Sequence, residues 1–180
     1  MTDSRRRWLL ALAGIVGEAA RVHRIDPLLA WAIVMQESRG KVSAYRYEPG
    51  WRYFTDTHGA ALRTTRELAA RLLSPTEFHT QSASWGPMQV MGSVARELGY
   101  RGMIPDLLVS PAVALDLGCR KLAALIAKYD GSLEDAISAY NDGDDYTDLD
   151  NEAYVVGVMG YKRGAAEDAE MLEALGIQPT

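Results

Sequence analysis

The segment PLLAWAIVMQESRG, residues 27–40, constrains the fold more than any other part of the chain. Asp26 before Pro27 is a helix-start signal, because an Asp side chain accepts from the free N–H groups of a first turn whose first residue can be proline. Gly40 supplies a stop. Between these limits Leu29, Ile33 and Gln36/Glu37 fall at i, i+4 and i+7/i+8, so Glu37 extends the stripe that Leu29 and Ile33 turn inward. A carboxylate at the edge of an apolar face is poorly solvated, and in a last helical turn it meets the negative end of the helix dipole. Both effects favour the protonated form, which is what a general acid needs near neutral pH. The ordinary alternative is a solvated charge at a frayed helix end.

With 180 residues, 48% of them hydrophobic, the chain has enough apolar surface for one core, and residues 1–180 are expected to form a single domain. Its net charge of −5 hides an asymmetry: residues 1–72 hold 12 Lys and Arg against 7 Asp and Glu, the remainder 7 against 17. No basic stripe is interleaved with aromatics, so nucleic acid is not an expected partner. The single Cys119 excludes an internal disulfide and reads as a small core residue. His23, His58 and His79 lack metal-ligand spacing, so neither a metal nor another cofactor is implied. No stretch approaches the length of a membrane span.

SRRRWLLALAGIV, residues 4–16, has the basic start, apolar run and paired arginines of a targeting signal. Glu18 follows closely, however, and no small-x-small cleavage site is visible. Leu9, Leu12, Ile15/Val16 and Ala19/Ala20 keep a helical spacing up to the Asp26 cap, so a structural helix is the reading here. The rest is read as nearly all helix, over 63–73, 88–98, 111–129, 132–141, 151–162 and 165–175, with 6–22 and 27–39 before them. Breaks fall at Ser74-Pro75, Gly86-Pro87, Ser110-Pro111 and Asp130-Gly131. Residues 40–85 are the irregular part and carry AYRYEPGWRYF.

Three further stretches bear on Glu37: ASWGPMQVMG (83–92), AISAYNDGD (136–144) and NEAYVVGVMGYKRG (151–164). In order with IDPLLAWAIVMQESRG, they resemble the catalytic domain of soluble lytic transglycosylases and goose-type lysozymes. That pattern is a Glu-Ser at a helix end, a Gly-x-Met-Gln segment, an Ala-Tyr-Asn segment and a later tyrosine before a valine. YRYEP is similar to a variant seen in phage-type muramidases. The resemblance implies an all-α, lysozyme-like fold that cleaves the β-1,4 bond between N-acetylmuramic acid and N-acetylglucosamine in peptidoglycan. By the same resemblance Glu37 is the catalytic acid and Ser38 the serine beside it. Gly86, Met88 and Gln89 line the substrate groove, Tyr140 and Asn141 orient the acid and hold an N-acetyl group, and Tyr154 lies near the acid. The chemistry fits these residue types: glycine admits a sugar ring close to the backbone, amides pair with N-acetyl groups, and a phenol can orient a carboxyl.

Three departures stand out. The interval from Glu37 to Gly86 is long, so residues 44–82 are expected to be an aromatic-rich insertion with a helix of its own. Pro87 stands where the family has a leucine or similar residue and removes a backbone donor. DGDDYTDLDNE follows Asn141 in place of small neutral residues, and its order does not fit an EF-hand loop, which leaves a solvated loop as the expectation. Two reactions remain open. In a transglycosylase the substrate's own acetamido group serves and the products are 1,6-anhydro sugars. In a goose-type hydrolase a second carboxylate activates water, with Glu48 and then Asp56 as candidates. A non-catalytic wall-binding or phage structural protein is the third class. The expected partner is the peptidoglycan glycan strand, with the chain acting as a monomer on the bacterial wall, in the periplasm or outside, as in a phage or prophage lysin.

Overall fold

Asp26 caps its helix as the sequence predicts. In the computed structural model, which describes residues 2–143 and 151–178, Asp26 Oδ1 accepts from Leu28 N at 2.9 Å and Pro27 takes the first helical position. The described chain separates into two units, residues 1–40 with 118–180, and residues 41–117.

The first unit is helical. It contains α1 (Asp3–Val22), α2 (Pro27–Ser38), the later turns of α6 (Pro111–Lys128), α7 (Leu133–Asp142), α8 (Glu152–Ala166) and α9 (Ala169–Ala174). At α2 the expected stripe is not what forms. All six residues Leu29–Val34 are buried, so the helix is enclosed on every side, as a helix apolar all round must be. Each large aliphatic side chain so enclosed contributes about 1.5–3 kcal/mol relative to exposure. Its stop also falls one residue early. Arg39 takes the left-handed cap conformation at φ 56° and returns its N–H to Met35 O, with Gly40 following at φ 75°. The principal neighbour of α2 is α8. Gly157 of α8 lies against Gln36, since a Cβ there would stand 2.5 Å from Gln36 Oε1. Arg6 on α1 binds Asp168 at 2.9 Å and Glu170 at 2.7 Å, and Lys162 on α8 binds Asp26 at 2.9 Å.

The second unit departs from the sequence reading. The expected aromatic loop contains β1 (Tyr45–Tyr47), β2 (Phe54–Thr55) and β3 (Ala61–Leu62), and the expected helix 88–98 shortens to α5 (Gly92–Glu97). The strands escaped notice because each is only two or three residues long, below the length at which alternation shows. β1 pairs antiparallel with β4 (Ala83–Trp85), and β4 with β5 (Val90–Met91), while β2 and β3 form a separate hairpin. The one expected helix 63–73 is followed by a second. After α3 (Arg66–Leu72), Ser74 caps α4 (Pro75–Gln81), so the Ser-Pro pair that reads as a break is also a start. A 3-10 turn spans Ile104–Leu108.

An ion pair joins α4 to α5. Arg96 Nε and Nη2 donate to the two Glu77 oxygens at 2.7 and 3.0 Å, and Gln81 Nε2 donates to Glu77 Oε1 at 2.9 Å. The remaining guanidinium nitrogen donates to Tyr100 O and Gly102 O at 2.8 and 2.9 Å. The pair is nearly enclosed, at 7% and 13% side-chain exposure, and fully hydrogen-bonded, the condition under which a buried pair is tolerated. Arg96 holds the Glu77 carboxyl below the usual carboxylate range, against the opposing effect of burial. A depressed folded value means that this contribution to stability is present above the unfolded carboxylate value and is lost as pH falls through the folded one. Glu77→Gln is therefore expected to cost roughly 3–5 kcal/mol at pH 7 by leaving Arg96 uncompensated. The difference from wild type should shrink in urea unfolding near pH 3. A difference unchanged at pH 3 would show that the side chain matters for shape and not for charge.

Candidate active site

Glu37 occupies the last turn of α2, where the helix leaves its enclosed stretch, and is half-buried. Tyr154, in the first turn of α8, donates its hydroxyl to Glu37 Oε1 across a short 2.5 Å hydrogen bond. Burial, then the Glu37 charge and the hydrogen bond itself, push the phenol far above its ordinary pKa. These effects favour the protonated phenol, and Tyr154 acts as a donor. A donor to a carboxylate favours the ionised form, which opposes the helix-end and burial effects that favour the acid.

Tyr140, on α7, is fully buried, and burial followed by the Glu37 charge raises its phenol well above the ordinary value. Two of the three residues assigned around Glu37 are thus electrostatically coupled to it. Asn141 follows at the exposed end of α7 and donates to Asp142 Oδ1 at 2.8 Å and to Asn151 Oδ1 at 3.3 Å. Ser38 returns its hydroxyl to Val34 O at 3.1 Å, a back-bond along its own helix. Of the acidic run after Asn141, residues 144–150 lie outside the described residues.

Two supporting residues went unassigned from the sequence. Lys121 of α6 donates to Tyr140 O at 2.7 Å and holds its ammonium 4.0 Å over the Tyr140 ring, clamping both the backbone and the π-face of that tyrosine. Asn151, buried, donates to Ser138 O at 3.2 Å while accepting from Asn141. Neither belongs to a motif, and a lysine in an apolar helical run reads as a side chain reaching for solvent.

In the second unit Gly86, Met88 and Gln89 share the turn between β4 and β5. Pro87 takes its second position, where proline is favoured, and Gln89 N returns to Gly86 O at 3.2 Å. The lost donor that Pro87 implies is one this turn does not use. Gly86 stands at φ 74°, and a Cβ would meet Ala114 Cβ at 2.9 Å, so only glycine fits. Gln89 does not begin a helix as expected. It stands at φ 48°, accepting from Ser84 Oγ at 2.9 Å and donating to Gly86 O at 2.8 Å, so its amide braces the turn. Met88 is fully buried. Glu48 lies beyond the other end of the β1–β4 pair, its N–H on Ser82 O at 2.8 Å. Arg46 Nε stands 2.5 Å from Glu48 Oε1 but off hydrogen-bond geometry, leaving that shielded oxygen with a charge partner and no directed donor. Asp56 Oδ1 accepts from His58 N at 2.8 Å and Ala60 N at 2.9 Å, and the Ala60 bond foremost holds its carboxyl below the ordinary range.

Residues 14–152 match the family model of the transglycosylase SLT domain. The chain belongs to the transglycosylase SLT family. No curated protein and no solved structure matches it. The family's members are lytic transglycosylases, and the chain is an enzyme of this lysozyme-like kind acting on the peptidoglycan of the cell wall. The family match takes in Glu37, Ser38, Gly86, Met88, Gln89, Tyr140 and Asn141 and stops two residues short of Tyr154. Among the described residues no three His, Cys, Asp or Glu group as metal ligands, and no helix is long and apolar enough to cross a membrane.

Tyr154→Phe removes one charge-assisted donor and little volume. We expect kcat to fall about tenfold or more, the scale of one hydrogen bond to a charged group. The Glu37 titration, followed by carboxyl ¹³C NMR in the free protein, should move to higher pH, because only the ionised form loses a partner. An unmoved titration would show that the hydroxyl does not bias this carboxyl.

Proposed function

We propose that Glu37 is the general acid and then the general base in cleavage of the β-1,4 bond between N-acetylmuramic acid and N-acetylglucosamine, with 1,6-anhydro sugars as products. The observation that carries this reading is the Tyr154–Glu37 hydrogen bond at 2.5 Å, which holds the carboxyl in one orientation at the end of α2. Protonated Glu37 gives its proton to the glycosidic oxygen as the C1–O bond breaks. The substrate's 2-acetamido oxygen stabilises the cation developing at C1. The Glu37 carboxylate then takes the proton of the C6 hydroxyl, and O6 closes on C1, so the proton count at Glu37 returns to its start.

This route needs no second protein carboxylate, and the two that were candidates are otherwise engaged. Asp56 is committed to its own turn and weakened as a base, and Glu48 faces Arg46. In the proposed complex Asn141 pairs with a substrate N-acetyl group, the Gly86–Gln89 turn borders the glycan, and Ser38 and Glu48 contribute at its margins. Residues 1–180 act as one catalytic domain and as a monomer, with 44–82 an elaboration of it; a phage or prophage lysin is the proposed setting.

Glu37→Gln should abolish wall lysis while helical content is unchanged, since the amide keeps the shape without a transferable proton. Muropeptides released by wild type should be lighter by one water than hydrolysed ones, and Glu48→Gln should leave that product and most of the rate. Lysis by Glu37→Gln near the wild-type rate would remove Glu37 from the chemistry. Reducing-end products that vanish in Glu48→Gln would replace the anhydro reaction with hydrolysis.

A further inference from the structure

The SRRRW run, residues 4–8, precedes the family match and has no part in the chemistry above. Within the first unit its long side chains are nonetheless engaged. Arg6 binds Asp168 and Glu170, and Arg7 lies 3.4 Å from Asp3 on the surface. The other two reach the end of α2. Arg5 Nη2 donates to Arg39 O at 2.5 Å, and Trp8 Nε1 donates to Gly40 O at 3.3 Å.

Those two acceptors belong to the residues that terminate the helix carrying Glu37. The end of α2 is otherwise closed by Arg39 N–H on Met35 O and Ser38 Oγ on Val34 O. Arg39 stands at φ 56°, a left-handed conformation unfavourable for a residue with a Cβ, which persists where the surroundings enforce it. Gly40 follows at φ 75°, packed so closely on α1 that a Cβ would stand 2.6 Å from Leu9 Cδ2. Last helical turns fray unless their carbonyls and the residues beyond are held. Here the holding groups come from α1.

We propose that Arg5 and Trp8 are positioning residues for Glu37: by binding the Arg39 and Gly40 carbonyls they fix the left-handed turn that orients the last turn of α2, and with it the carboxyl, toward Tyr154. The proposal rests on the reading of Glu37 as the acid. Arg5 also brings a cation to the negative end of the helix dipole, which favours the ionised form of a carboxyl in that turn. Groups that act on Glu37 include Tyr154 from α8 and Tyr140 from α7, with Lys121 of α6 over the Tyr140 ring and the Asp142 carboxylate of α7 acting on Tyr154. Arg39 directs its guanidinium over Tyr161 of α8 at 4.9 Å, while Arg5 places its guanidinium on the Arg39 carbonyl.

Three substitutions in the full chain separate this from a general loss of structure. Trp8→Phe keeps an aromatic side chain and loses the N–H together with part of the indole volume. Arg5→Met keeps the stem and loses donor and charge, and Arg5→Lys returns both in part. We expect Arg5→Met combined with Trp8→Phe to lower kcat about two- to fivefold at unchanged KM, the scale of a helix-end interaction. The alkaline limb of kcat/KM and the NMR titration of Glu37 should move to higher pH. Arg5→Lys with Trp8 intact should recover both, and the Arg5→Met shift should fade near 1 M salt as the charge effect is screened. Arg6→Met, which breaks the α1–α9 ion pairs, should lower thermal stability and leave the limb in place. A wild-type titration and kcat in the double variant would overturn the proposal, as would an equal shift in Arg6→Met. Activity surviving in Glu37→Gln would overturn the reading of Glu37 alone, because the Glu37 titration in Arg5→Met measures the coupling without turnover.

Discussion

A helix enclosed on every side has to end somewhere, and the position of that end decides what its last side chains can do. In α2 the enclosed stretch Leu29–Val34 fixes the axis, because a rotation of the helix would break the close packing of large and small side chains at several positions at once. Glu37 follows three residues later, where the enclosure loosens, and α8 supplies the group that meets it. Gly157 admits Gln36 at the same helix pair, one turn from Tyr154, so the close approach of the two helices and the Tyr154–Glu37 hydrogen bond are parts of one contact. The remainder of the first unit supports that contact. Lys121 clamps Tyr140, Asn151 braces the end of α7, and α1 holds the turn after α2.

The second unit solves a different problem, that of holding very short strands in register. Strands of two or three residues contribute few ladder hydrogen bonds, so side chains take over. Gln81, fully buried, pairs its amide with the Thr55 backbone, its Oε1 accepting from Thr55 N at 2.9 Å and its Nε2 donating to Thr55 O at 2.9 Å. Arg66 donates to Trp51 O and Ser82 Oγ and lies 4.6 Å over the Phe78 ring. The Glu77–Arg96 pair then closes the carbonyls of Tyr100 and Gly102. Polar and ionic groups with full complements of partners do here what a longer sheet does elsewhere with backbone alone.

These two strategies explain what could be read from the sequence. Helices α1, α2, α6, α7 and α8 were legible to within a few residues because caps and apolar spacing extend over many residues: Asp26-Pro27 and Ser132 act as caps in the structure. Glu37 was legible by its place at a helix end, although the stripe argument that led to it was incomplete, since α2 has no exposed face over 29–34. Gln89 was misread because a turn closed by Pro87 and a helix beginning at Pro87 have the same local signature. The strands of residues 45–62 carry too few residues for a period to show. Lys121, Asn151, Arg5 and Trp8 were invisible because their partners are backbone carbonyls and an amide far away in sequence, and a carbonyl leaves no trace in residue type.

The arginines of SRRRW show how a local pattern and a tertiary arrangement compete for one interpretation. Clustered ahead of an apolar run, they look like a targeting signal; in the fold one binds two carboxylates and another a helix-end carbonyl. The electrostatics at Glu37 follow the same logic of opposed demands. In the proposed reaction one carboxyl first gives a proton and then takes one, so neither of its states can be favoured strongly without slowing the other step. Partial enclosure and the helix dipole favour the acid, and the Tyr154 donor favours the carboxylate. Because burial and the Glu37 charge hold the Tyr154 phenol far above its ordinary pKa, Tyr154 stands beside the carboxyl as a donor and not as a competing proton acceptor, and it enters that balance through its hydrogen bond.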